Sequence, residues 1–154
     1  MKTREDVNMP RRSTIGSCGY DFYAPETFEL RPGEWTMIDT GVSLDDDDMV
    51  SITKLSRVDE YVNNAIAYMA DWFMMLVPRS GLSNKCGFRL RNTVGIIDKD
   101  YRNTIKALVT VDEPYTLQKG ERFMQGILLP FGTFWDECEP IATRSGGHGS
   151  TGRF

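Results

Sequence analysis

The sequence has a single histidine, His148, and only three cysteines, Cys18, Cys86 and Cys138, widely spaced and without a CxxC pair. A disulfide framework and a zinc site built from paired Cys and His are therefore not expected. Any metal must be held by oxygen, which points to magnesium or a similar hard ion bound partly through substrate phosphates. A net positive charge is also missing: the balance is -4. No basic field exists to hold a polymeric nucleic acid, whereas a single nucleotide needs only a few local cations. Long apolar runs are missing too. The longest, Trp72 to Val77, is far short of a membrane span. The start, MKTREDVNMP, is charged from its second residue and does not read as a secretory signal. The expectation is a cytoplasmic protein with no membrane partner.

The chain has 154 residues, 40% of them hydrophobic, enough for one core and one domain. Strand-like runs recur between turn residues: Tyr20 to Ala24, Thr27 to Leu30, Trp35 to Asp39, Met49 to Thr53, Trp72 to Val77, Thr93 to Ile97, Thr104 to Val111 and Phe123 to Leu129. Many short strands predict an all-β sandwich, jelly roll or barrel. Arg31-Pro32-Gly33-Glu34 and Gln118-Lys119-Gly120-Glu121 read as turns that each precede a strand.

One stretch departs from this pattern. From Ser56 to about Ala70, Val58, Tyr61, Val62, Ala65, Ile66 and Met69 recur at helical spacing, and Ser56 with Asp59 resembles a capping box. This is the one substantial helix that the periodicity predicts. The Asp45 to Asp48 run before it reads as a solvated loop, since four adjacent carboxylates cannot all converge on one ion. The tail, Arg144 to Phe154, is glycine-rich and offers almost no side chain to a core. It reads either as a frayed terminus or as a mobile arm whose backbone amides approach an anion.

Two segments carry chemistry. Pro78-Arg79-Ser80-Gly81 follows an apolar strand and offers a guanidinium fork, a hydroxyl and a glycine amide, which suit phosphate oxygens. A surface turn would use the same residues. Gly95-Ile96-Ile97-Asp98-Lys99-Asp100-Tyr101 ends a strand with two carboxylates and a phenol. A carboxylate there could orient and deprotonate water, and an Asp-rich hairpin turn would read the same way.

Taken together and in order, five segments resemble the signature motifs of the trimeric dUTP pyrophosphatase family. They are Gly19-Tyr20-Asp21-Phe22-Tyr23-Ala24, Pro78-Arg79-Ser80-Gly81-Leu82, the run from Asn92 to Arg102, Gly120-Glu121-Arg122-Phe123-Met124-Gln125, and Gly146-Gly147-His148-Gly149-Ser150-Thr151-Gly152. The resemblance implies a distorted jelly roll over 1–143 carrying the inserted helix at about 55–70, and a flexible arm over 144–154 that closes on a neighbouring active site. It implies a homotrimer in which phosphate groups, the uracil and sugar pocket, and the arm come from different subunits.

On this resemblance Arg79, Ser80, Gly81 and Gln125 hold the triphosphate, and Asp21 serves the magnesium ion through water. Asn92, Gly95 and Ile97 receive uracil, and Tyr101 packs beneath deoxyribose to exclude a 2′-hydroxyl. Asp98 contacts the sugar and positions the attacking water. Lys106, Arg144, His148, Gly149 and Ser150 complete the substrate-binding set.

Three departures stand out. His148 replaces a stacking phenylalanine, the spacing before Gly146-Gly147 is one residue short, and Asn103 stands where glycine is common, a turn-compatible replacement because Asn tolerates left-handed geometry. The insertion at 55–70 either packs on the barrel or docks a regulatory protein, as an added segment does in some phage-encoded relatives. The implied reaction is hydrolysis of dUTP to dUMP and pyrophosphate. The rival readings are a dCTP deaminase of the same fold and a nucleotide-switched binding protein.

Overall fold

The computed structural model describes residues 1–44 and 72–132. Its order is β1 (Lys2–Thr3), β2 (Gly19–Tyr23), β3 (Phe28–Leu30), β4 (Thr36–Asp39), β5 (Val42–Ser43), β6 (Trp72–Pro78), α1 (Ser80–Cys86), β7 (Arg89–Leu90), β8 (Gly95–Asp98), β9 (Lys106–Thr110), β10 (Tyr115–Leu117) and β11 (Arg122–Pro130). The fold is the expected all-β, jelly-roll-like one.

Four antiparallel strands, β2-β11-β6-β8, form the main sheet, and β4-β9-β7 form a second. Strand β6 shows how sequence sets the layers. Its residues alternate, so Trp72, Met74 and Leu76 are buried while Phe73, Met75 and Val77 on the other face are half-buried. Against the first set lie Phe22 of β2, Ile38 of β4, Val109 of β9, and Phe123 and Met124 of β11, all fully buried. Each such side chain contributes about 1.5–3 kcal/mol by leaving water. Gly126 is required at the centre, because a Cβ there would lie 2.7 Å from Met74 Sδ and 2.8 Å from Phe22 Cε2.

Both anticipated turns are present. Glu34 N–H donates to Arg31 O at 3.2 Å and Glu121 N–H to Gln118 O at 3.0 Å, with Gly33 and Gly120 at φ of 79° and 80°.

The helix at Ser80–Cys86 was not anticipated. Only Leu82 and Cys86 are buried in it, one apolar pair at i, i+4, which is too little pattern to read as a helix. It ends at Gly87, whose left-handed backbone donates N–H to Ser83 O at 3.0 Å. The strands Lys2–Thr3, Val42–Ser43, Arg89–Leu90 and Tyr115–Leu117 were also missed, since two or three residues carry no readable alternation. Among the described residues other than glycine, only Thr93 is left-handed, at φ 63°, so Asn103 does not draw on the left-handed geometry that Asn tolerates. The expected strand at Met49 to Thr53, the Asp45 to Asp48 run and the helix at 55–70 lie outside the described residues.

Candidate active site

Strand β8 carries the short apolar run Gly-Ile-Ile that ends in Asp98, and it pairs with β6 so that Gly95 faces Leu76 and Asp98 faces Phe73. Beside it lies a cavity of about 480 Å³ lined by Asn92, Gly95, Ile97, Asp98, Tyr101 and Lys106 together with Met37, Leu76, Leu90, Arg91, Ile96, Ala107 and Leu108. That volume is in the range of small-molecule sites, and the mix of apolar walls with a few polar groups is typical of them.

Local geometry explains each wall. Gly95 leaves room that a side chain would remove, since a Cβ there would press within 3.0 Å of Leu76 Cβ. Asn92 is carried on a tight turn: Thr93 N–H donates to Leu90 O at 3.1 Å and Val94 N–H to Asn92 O at 2.6 Å. The left-handed backbone of Thr93 is costly for a β-branched residue, and it directly follows Asn92 of the cavity wall. Tyr101 is 5% exposed. Its N–H donates to Asp98 O at 3.0 Å and its hydroxyl to Thr104 O at 3.2 Å, which fixes the ring beside Asp98. Lys106 pairs with Asp39 at 3.8 Å, and Asp39 also accepts from Thr104 Oγ1 at 2.8 Å. Met37 and Ile96 are 47% and 54% exposed and give the rim an apolar edge suited to a flat base.

A second cluster centres on Asp21, which is 1% exposed. Its Oδ1 accepts from Gln125 Nε2 at 3.0 Å and faces Arg79 Nε at 3.3 Å. Its Oδ2 accepts from Ser13 Oγ at 2.6 Å and from Arg122 Nη1 at 3.1 Å. Burial pushes this carboxyl up, but Ser13, Gln125, Arg79 and Arg122 together outweigh it and hold the group below its ordinary value. Arg79 caps α1, with Leu82 and Ser83 N–H both donating to its carbonyl at 3.0 Å, and Ser80 and Gly81 open the first turn, exposed. The cluster offers cations and neutral donors to an anion.

The structure thus gathers six expected residues into the cavity and places Arg79 and Gln125 about Asp21, with Ser80 and Gly81 next in the chain after Arg79 at the start of α1. Arg144, His148, Gly149 and Ser150 lie outside the described residues. Ser13 carried no signal in the sequence, and Arg122 was visible only as part of a motif. A protein-held magnesium does not fit here. Both Asp21 oxygens are already committed to protein donors, and among the described residues no three His, Cys, Asp or Glu side chains converge.

The dUTPase family model matches residues 50–152. The deoxyuridine 5'-triphosphate nucleotidohydrolase of Lactococcus lactis is 35% identical over 95% of this chain and 89% of its own length. That of Dinoroseobacter shibae is 35% identical over 97% of this chain and 90% of its own. Among solved structures, the Streptococcus mutans dUTPase superposes with a TM-score of 0.60 at 26% identity, over 86% of this chain and 91% of that one. A variant dUTPase from phage phi11 of S. aureus, described with a coordinated structural Mg(II) ion, gives 0.64 at 19% identity, over 90% and 94%; at that identity it speaks for the fold alone. With a cavity beside a strand-end carboxylate, an anion-ready cluster around Asp21 and full-length relatives of one name, the chain belongs to the dUTPase family.

Proposed function

We infer that this chain is a dUTP diphosphatase, hydrolysing dUTP to dUMP and pyrophosphate. The carrying observation is the cavity that brings Asn92, Gly95, Ile97, Asp98, Tyr101 and Lys106 together in a chain of that family. Uracil enters between Met37 and Ile96 and meets the backbone of β8 and the Asn92 amide, which has both a donor and an acceptor. Cytosine reverses that pattern, and leaving buried groups unpaired costs about 1–3 kcal/mol each. The Tyr101 ring lies beneath the sugar and excludes a 2′-hydroxyl.

Asp98 accepts the proton of a water whose oxygen attacks the α-phosphorus in line. The new P–O bond forms as the α–β bridging bond breaks, and pyrophosphate leaves with its charge held by Arg79, Ser80, Gly81 and Gln125. Magnesium would be held mainly by the substrate's phosphates and would supply charge neutralisation to the leaving group. Arg144, His148, Gly149 and Ser150 complete the site. The reaction removes a precursor of uracil in DNA and supplies dUMP for dTMP synthesis.

The proposed assembly is a homotrimer with shared sites. Asp98 is level with Phe73, whereas Gln125 is level with Val77, which separates their Cα atoms by roughly 16 Å from strand dimensions. The intervening face carries Phe73, Met75, Val77, Ile127 and Leu129, all half-buried, an apolar surface suited to contact with another copy. Both observations support completion of each site by neighbours.

The test is pyrophosphate release from dUTP, dCTP, dTTP and UTP in parallel, with magnesium and with EDTA. Release from dUTP alone, lost in EDTA, is the expected result. Ammonia from dCTP, or no release from any nucleotide, would overturn the reading.

A further inference from the structure

We propose that Ser13 is a positioning residue for the triphosphate, acting through Asp21 to keep Arg79 and Gln125 presented to substrate; this rests on the dUTPase reading above. Ser13 lies outside all five motif segments, yet its hydroxyl makes the shortest contact that Asp21 has, donating to Oδ2 at 2.6 Å. The Ser13 hydroxyl oxygen in turn accepts from Arg122 Nη1 at 2.9 Å, and Arg122 Nη1 also donates to Asp21 Oδ2 at 3.1 Å. Ser13 therefore takes one side of the carboxylate and shares Arg122 with it, leaving Oδ1 to Gln125 and Arg79.

The chain delivers the hydroxyl there by construction. Two residues earlier, Arg11 bridges to Asp21 through the backbone, with Asp21 N–H donating to Arg11 O at 2.8 Å. The loop beyond is braced by Arg12 Nη1, which donates to Ile15 O and Ser17 O, each at 3.1 Å, and by Thr14 N–H on Ser17 Oγ at 3.1 Å. Removing the hydroxyl leaves Oδ2 with Arg122 alone. A nearly buried carboxylate short of a donor draws on its remaining cations, and Arg79 is the closest one on its other oxygen. Arg79 is then held for Asp21 at the expense of phosphate.

Ser13→Ala should raise the dUTP KM about tenfold with kcat within about twofold, the size expected for one hydrogen bond to a charged group. Ser13→Thr, which keeps the hydroxyl, should return KM to within about twofold of the parent. Inhibition by dUMP, which has no β- or γ-phosphate, should be unchanged in both. Calorimetric binding of inorganic tripolyphosphate should weaken in Ser13→Ala in step with KM, and this readout stands even for a parent that fails to hydrolyse dUTP. An unchanged KM, a KM rise matched by weaker dUMP inhibition, or a Thr variant no better than Ala would each overturn the proposal.

Discussion

Gln125 stands opposite Asp21 in the β2–β11 register, and its Nε2 donates to Asp21 Oδ1 at 3.0 Å. Two residues from distant motifs are thereby locked around one buried carboxylate, with Arg79 and Arg122 closing the set. Asp21→Ala deletes the acceptor that all four donors share. Breaking a buried pair costs about 3–5 kcal/mol, but Arg79 and Arg122 are 31% and 41% exposed and water repays part of that. A loss of about 1–3 kcal/mol is expected in urea unfolding, together with a higher dUTP KM. An unchanged midpoint would mean that the cluster contributes only to binding.

The same carboxyl sets a pH dependence. Its folded pKa is held below the ordinary carboxylate value, so the unfolded chain takes up its proton first as pH falls. The stabilisation is complete above the unfolded value of about 3.9 and is lost progressively as pH drops through the folded value. Thermal melts across that window should show a steeper acid decline in the parent than in Asp21→Asn. Parallel declines would place the acid sensitivity elsewhere.

Asp98→Asn should lower turnover of dUTP by about 10²–10⁴-fold while a non-hydrolysable analogue still binds, since the amide keeps a sugar contact but cannot take the proton. The proposed shared sites give this variant a second use. Asp98→Asn and Arg79→Ala are each expected to be nearly inactive alone. Mixed trimers formed by refolding them together should regain up to about a quarter of parental activity, because some sites then draw Asp98 and Arg79 from intact copies. No recovery in mixtures shown to exchange subunits would assign both residues to sites within one copy.

The proposed sugar selection by Tyr101 can be separated from its part in folding. Tyr101→Phe loses the hydrogen bond from the hydroxyl to Thr104 O, about 1 kcal/mol, and should keep its preference for dUTP over UTP. Tyr101→Ala empties a site that is 5% exposed in the parent and should cost about 3–5 kcal/mol. Its remaining activity should discriminate less against UTP. Full discrimination in a folded Tyr101→Ala protein would move sugar selection to another residue.

Two backbone positions give stability tests with opposite signs. Gly126→Ala drives a methyl into Met74 and Phe22 and should destabilise by about 1–3 kcal/mol, as overpacking does. Thr93→Asn relieves a β-branched residue held at φ 63° and should stabilise by about 1 kcal/mol. Melting curves of the two variants read both effects.

Much of this protein follows from its sequence alone. Alternation in Trp72 to Val77 and the Pro-Gly and Lys-Gly turns predict an all-β chain. Five ordered motifs name the chemistry, because a turn that must approach phosphate or carry a carboxylate permits few residue types. What sequence could not supply is adjacency across the sheets. Ser13 and Arg122 lie 109 positions apart, and the pairing of β2 with β11 together with the Arg11–Asp21 bridge brings them to one oxygen of Asp21. Strand registers place Met37, Leu90 and Leu108 around the cavity as well, and no local pattern distinguishes these from core residues. The short helix after Arg79 belongs to this second group. Its seven residues are too few for periodicity to show, and packing of Leu82 and Cys86 into the core accounts for its formation.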